Sequence, residues 1–280
     1  MVRRRPVVRH LLVYAGLTPF LVIALFPVVW MVITAFKDER DLYTMGVVPF
    51  RFYAPPTLKH FHLLFTQTWF GRWVVNTATV SSAVVALTVV TAVPAAYALA
   101  RFRLPGAEHV GIAMFMTYLV PPIILFIPLT YAVFRLGLLD SSWALVIVHP
   151  TLTIPFCTWL MLGFFRGVPA ELEEAAWIDG CGILGGLVRV VLPLSLPGIV
   201  TTAIFAFTLS MQEYLYAVVL SLPQDEKVIT VGLPTMLIRG DIFFWGALMA
   251  GGLLVGLPVA LLFGVILDRF IEGLTGAGHP

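Results

Sequence analysis

The sequence predicts an all-α, multi-pass membrane protein with six transmembrane helices. Two observations carry this: the composition and the length of the apolar runs. Sixty per cent of the residues are hydrophobic and only 11% are charged, against about 25% charged in an ordinary soluble domain. One soluble core could not hide that much apolar surface, whereas lipid requires no polar exterior. A spanning helix needs roughly 20 mostly apolar residues, and six stretches meet this: 11–36, 73–100, 110–136, 142–165, 198–221 and 243–271.

The first stretch follows Arg3, Arg4, Arg5 and Arg9. Its apolar run is longer than the core of a cleaved signal peptide and lacks a small-x-small cleavage site, so it is expected to stay as an anchor. Several later stretches contain proline, including Pro94, Pro121, Pro122, Pro128, Pro150, Pro155 and Pro258. Proline is tolerated in spanning helices where neighbours satisfy the freed backbone groups. With the N-terminus inside, basic residues near the spans number nine inside and eight outside. The acid-free N-terminal arginine cluster tips this small difference, so both termini are expected in the cytoplasm. Residues 1–280 then form a single transmembrane domain with external loops at 37–72 and 222–241. Its internal segments are a short turn at 101–109 and a long loop at 166–197. There is no internal repeat.

Some function classes fall away at once. A net charge of +2 leaves no nucleic-acid footprint. Cys157 and Cys181 lie on opposite sides of a span boundary, lack the spaced partners of a metal site, and read as small apolar fillers. A phosphate-cradling loop needs Gly-Lys-Ser/Thr. The three lysines, Lys37, Lys59 and Lys227, each follow a residue other than glycine. No catalytic constellation of paired His and Glu on one helix face is present, so the chain is not expected to be an enzyme.

The loop 166–197 is the most informative segment. Pro169 suits the first helical position. Glu171, Glu173 and Glu174 occupy the first turns, where the helix dipole favours acids. Leu172, Ala175, Ala176 and Asp179 continue at helical spacing, and Gly180 and Gly182 end the helix. A helix lying on the membrane surface usually carries Lys or Arg on its polar face. This one is acidic. Physics alone leaves two readings open: an interfacial helix, or a knob for a groove on a basic protein partner.

Glu174-Ala175-Ala176, then Gly180, Val190 and Leu192-Pro193, resembles the cytoplasmic signature loop of bacterial ATP-binding-cassette (ABC) importer permeases, with valine for the usual isoleucine at 190. The resemblance extends to Asn76-Thr77, to 95–106, to 136–140, to 245–250 and to 273–278. Together these are similar to the second permease subunit of carbohydrate importers of the maltose-transporter type. At the extreme end His279-Pro280 stands where that family has a longer tail. The resemblance implies a type I importer permease fold. It implies an ATPase-coupling role for Glu174, Ala175, Ala176, Asp179, Gly180, Leu192 and Pro193. It also implies four partners: a second homologous permease, an ATP-binding-cassette ATPase dimer, an extracytoplasmic solute-binding (lipo)protein and membrane lipid. No cofactor is expected on this chain; ATP and Mg are implied on the ATPase.

Glu213 is the one acid well inside an expected span, flanked by Gln212 and Tyr214. An intramembrane acid is costly and marks function by default. Three roles stand open for this trio: the translocation path, a pairing with the partner permease, or a structural ion pair. His149, before Pro150, is expected to hydrogen-bond within the bundle. Trp73, Trp143 and Trp245 near span ends read as an aromatic belt. In the resembled subunit the loop 222–241 reaches the binding protein, which makes Gln224, Asp225, Gly232 and Pro234 candidate contacts. A secondary transporter or channel for a small polar solute is the alternative. It would call for intramembrane charged pairs and inverted repeats. The sequence does not fix the solute.

Overall fold

The computed structural model describes residues 5–44, 46, 48–102, 105–220 and 223–275, and the side chains of 10–264 among these apart from Leu12. Arg3, Arg4 and residues 276–280, referred to above, lie outside the described residues, as do the side chains of Arg5 and Arg9.

Most of the described residues are helical. It runs α1 (Arg5–Phe36), α2 (Glu39–Tyr43), α3 (Lys59–Gln67), α4 (Phe70–Arg101), α5 (Ala107–Tyr118), α6 (Pro122–Arg135), α7 (Trp143–Val148), α8 (Pro150–Gly167) and α9 (Ala170–Ile178). Next come α10 (Ile183–Gly186), a π-helical turn (Leu187–Val191), α11 (Leu192–Leu194), α12 (Leu196–Gln212), α13 (Leu215–Leu220) and α14 (Ile229–Leu237). A small antiparallel hairpin, β1 (Ile238–Arg239) with β2 (Ile242–Phe243), precedes α15 (Trp245–Thr275).

Among the described residues, four segments are long and apolar enough to cross a membrane: Val13–Phe36, Phe70–Arg101, Trp143–Gly167 and Trp245–Gly264. Two bent pairs bring the number to six if each is one span: α5 with α6, bent by 90°, and Ile183–Leu194 with α12, bent by 77°.

Three expectations are corrected here. The stretch 110–136 is not one straight helix. Pro121 and Pro122 remove two consecutive backbone donors, and Pro121 takes an extended ψ of 129°, so the chain turns there. The stretch 198–221 is interrupted too: α12 ends at Gln212, Glu213 has ψ 129°, and α13 starts at Leu215. The two breaks answer each other. Tyr216, in α13, donates its hydroxyl hydrogen to the carbonyl of Pro122, the first residue of α6, at 2.8 Å. Finally, the supposed loop 222–241 holds α14 and the hairpin. Val228, Ile229, Val231 and Leu237 are buried there.

The contacts of the chain divide it into two compact units. One comprises Met1–Phe70 and Leu233–Val259. In it the His60 ring bonds the Lys37 carbonyl at 2.8 Å, and Asp41 accepts from the amides of Tyr53 at 2.8 Å and Ala54 at 3.2 Å. Gly246 lies flat on the His60 ring, where a Cβ would come within 2.2 Å of Nε2. Segment 37–72 is therefore a folded piece with α2 and α3 inside it.

The second unit comprises Gly71–Gly232 and Ala260–Pro280. One core cluster gathers Val80, Val84, Val133, Leu145, Tyr216 and Val231. A second joins Val93, Tyr97, Met161, Phe165, Leu187 and Val191. Midway along α4 the hydroxyls of Thr88 and Thr153 bond at 2.6 Å. Trp73 is fully buried and not part of a belt. Its indole N–H donates to the Gln224 carbonyl at 2.6 Å, and Gly232 lies against its ring. Trp143 and Trp245 are exposed, 56% and 43%.

A Cβ at 232 would stand 2.3 Å from Trp73 Cδ2. Gly232→Ala is therefore predicted to overpack the contact and cost about 1–3 kcal/mol. It should lower the thermal midpoint of detergent-purified protein, followed by size-exclusion recovery. An unchanged midpoint would show that the ring moves aside freely.

Candidate functional site

The acidic segment folds as the sequence indicates. Pro169 precedes α9, and Glu171 and Glu173 lie in its first turn. Asp179 closes the helix, and Gly180 follows with φ +86°, a left-handed conformation that glycine adopts at little cost. The candidate residues then separate by direction. Glu174, Ala175, Asp179, Gly180 and Pro193 are exposed, and Leu192 is half-buried. Ala176 is buried: it packs into its own protein and does not face outward. Around the exposed acids stand apolar side chains that are open too. Leu172 is 47% exposed, Trp177 41%, Ile178 87% and Leu184 72%. The short helix thus presents acids and bare aliphatic groups together.

Sequence reading missed how α9 is held. Glu173 passes in the sequence for one more first-turn acid, yet it is almost fully buried. Its Oε2 accepts from Arg101 Nε at 2.9 Å, and its Oε1 accepts the Tyr97 hydroxyl hydrogen. Arg101 also donates from Nη2 to the Val168 carbonyl at 2.8 Å. The signal was available in part: Tyr97 and Arg101 stand one helical turn apart at the end of α4, on one face. The third partner, more than seventy residues on, has no local signature.

Glu213 serves its own chain first. Its carboxylate accepts from the amide of Tyr216 at 3.0 and 3.2 Å and of Ala217 at 3.2 Å, capping α13. His149 Nε2 stands 3.5 Å from Oε2, close without hydrogen-bond geometry, while His149 Nδ1 bonds Ser210 Oγ at 2.8 Å. The neighbours point otherwise: Gln212 and Tyr214 are exposed at the break. The trio is thus one capping acid between two outward side chains.

Residues 89–275 match the family of binding-protein-dependent transport system inner membrane components. The chain belongs to that family. It is 34% identical to the sulfoquinovosyl glycerol transport system permease protein SmoH of Agrobacterium fabrum, over 92% of this chain and 90% of that one. It is 30% identical to the maltodextrin transport system permease protein MdxG of Bacillus subtilis, over 95% and 94%. A chain of a bacterial ABC transporter that imports alginate shares the fold, with TM-score 0.80 at 21% identity, covering 96% of this chain and 99% of that one. The chain is therefore a multi-pass permease subunit of the type I importer fold and not itself an enzyme.

At the other end of α4 the permease ties down a second segment. Asn76 Nδ2 donates to the carbonyls of Asp225 at 2.6 Å and Lys227 at 3.0 Å, and the Ile229 amide donates to Thr77 Oγ1 at 2.8 Å. Glu226 accepts from the amide and hydroxyl of Ser142 at 3.1 and 2.7 Å. Gln224 is exposed, and Asp225 and Pro234 are half-buried, so these remain open at a surface. Gly232 does not: it is buried under Trp73 and leaves the set of candidate contacts.

The side-chain and backbone hydrogen bonds from Ser142 hold the Glu226 carboxyl below the ordinary carboxylate range, and the charge of Arg72 adds to this against the opposing effect of partial burial. A carboxyl whose pKa falls on folding contributes stability above its unfolded pKa and loses it as pH falls through its folded one. Amide exchange at 141–143, corrected for intrinsic rate, should therefore rise between neutral pH and about pH 4 or below, the carboxylate range. In Glu226→Gln it should be fast at both and lack that step. A step of equal size in the variant would place its origin elsewhere.

Proposed function

We propose that this chain is a permease subunit of an ATP-driven, binding-protein-dependent importer of a sugar or sugar-like solute, working by alternating access. The observation that carries the ATP-driven part is the outward face of α9: Glu174, Ala175 and Asp179 among exposed Leu172, Ile178 and Leu184, on a helix stopped by Gly180. Because no phosphate-cradling loop exists on this chain, ATP and Mg belong to a separate ATPase dimer, and α9 with Leu192 and Pro193 is the contact it moves. A second, homologous permease completes the pathway. Gln212 and Tyr214 line that pathway or the joint between the two permeases, with Glu213 holding the turn between them. Gln224, Asp225 and Pro234 face the solute-binding protein. The relatives named for sulfoquinovosyl glycerol and maltodextrin transport support a sugar-like cargo.

Sidedness follows from charge. Arg101, Arg166 and Arg189 cluster around the α9 segment, and basic residues favour the cytoplasmic side. On this reading both termini lie in the cytoplasm and the segment 222–241 lies outside. In the resting state the ATPase dimer is open. ATP closes it, α9 follows, and the bundle rocks to receive solute from the binding protein; hydrolysis resets it.

Gly180 holds φ +86°, which proline cannot adopt with φ locked near −65°. Gly180→Pro and Ala175→Glu are therefore predicted to insert into membranes at wild-type levels while losing solute accumulation per ATP hydrolysed. Sugar uptake and phosphate release are compared in the same inverted or right-side-out vesicles. Normal uptake by both variants would sink the coupling assignment.

A further inference from the structure

The Glu173 carboxylate is the one polar group of α9 that the fold buries among the described residues. It reaches α4 through two donors, Arg101 Nε at 2.9 Å and the Tyr97 hydroxyl, while Arg101 grips the Val168 carbonyl before α9 at 2.8 Å. Gly186 seats its backbone on the same side chain, where a Cβ would stand 3.2 Å from Glu173 Cγ. Ala176, one turn further, is buried on the same face. Stability alone is a poor reason for such a group, since buried ion pairs rarely outdo well-packed apolar residues of the same size. What several directed, charge-assisted bonds supply is a fixed register and orientation.

We infer that Tyr97, Arg101 and Glu173 form a clamp that makes α4 follow α9, so that these three are positioning residues for coupling. The inference rests on the reading above that α9 docks on a moving ATPase. Its consequence is long-range. The same helix α4 holds the segment 223–229 at its opposite end through Trp73, Asn76 and Thr77. A displacement of α9 is thus delivered to the face that meets the binding protein.

The test uses the whole complex purified through this chain, with MgATP plus orthovanadate as the probe and hydrogen–deuterium exchange as the readout. In the wild type, nucleotide should change exchange both in α9 and in 223–229, the latter by about five-fold or more, the lower range of ordinary coupling between sites. In Glu173→Gln, α9 should still respond and 223–229 should not. Tyr97→Phe keeps the ion pair and should give an intermediate response.

Glu173→Gln leaves Arg101 without a counter-charge, so the double variant Arg101→Gln/Glu173→Gln is measured beside it. A merely structural pair predicts that the double variant, free of an uncompensated charge, regains the response along with stability. The clamp predicts recovery of stability alone. A wild-type-sized response of 223–229 in the variants overturns the inference and leaves the ATPase docking intact. A wild-type α9 that ignores nucleotide overturns the docking and the inference with it.

Discussion

In a bilayer every backbone N–H and C=O has to find a partner within the protein, because lipid offers none. The architecture of this chain is arranged around the places where that demand is hardest to meet. Pro121 and Pro122 interrupt one span and Glu213 another. At the second break the orphaned amides of Tyr216 and Ala217 are capped by Glu213, and Tyr216 ties this turn to the first break through its hydroxyl bond to the Pro122 carbonyl. The cost of an intramembrane acid is offset by bonds from two backbone amides, those of Tyr216 and Ala217. Such a cap is worth on the order of 1 kcal/mol in water. The alternative here is an unpaired amide in hydrocarbon, which costs several kcal/mol.

The second organising feature is α4. At one end, Trp73, Asn76 and Thr77 bind the backbone of 224–229; at the other, Tyr97 and Arg101 bind the base of α9. Both segments would otherwise be loops, and loops drift. Anchored to one helix, they are, on the clamp inferred above, two ends of a lever. The proposed function, with a motor on one side and a delivery protein on the other, calls for such a physical link.

Legibility in the sequence followed range. Features set by neighbours in sequence were readable: the apolar spans, the acidic first turn of α9 and its stop at Gly180. The signature spacing around Glu174 to Pro193 indicated the family. Features set by distant partners were not. Trp73 has the position of a belt residue, and only the carbonyl of Gln224 and the flat face of Gly232 reveal it as buried. Glu173 is indistinguishable in sequence from Glu171 and Glu174, yet it alone turns inward to Arg101. The bend at Pro121 was hidden because proline in a span predicts either a tolerated kink or a break, and the sequence does not show the extended ψ that Pro121 takes here. Residues 222–241 read as a loop because Pro223 and Gly232 are turn-formers in isolation, while Val228 and Val231 fold them into the core.

The central claim is that this permease works as one part of an ATP-driven assembly. Its most direct test is affinity purification of the tagged chain from its native membrane in mild detergent, with mass spectrometry of what accompanies it. The account predicts an ATP-binding-cassette ATPase, a second permease of the same family and a solute-binding protein in stable proportion. Recovery of the chain alone, folded and able to transport on an ion gradient, would contradict it.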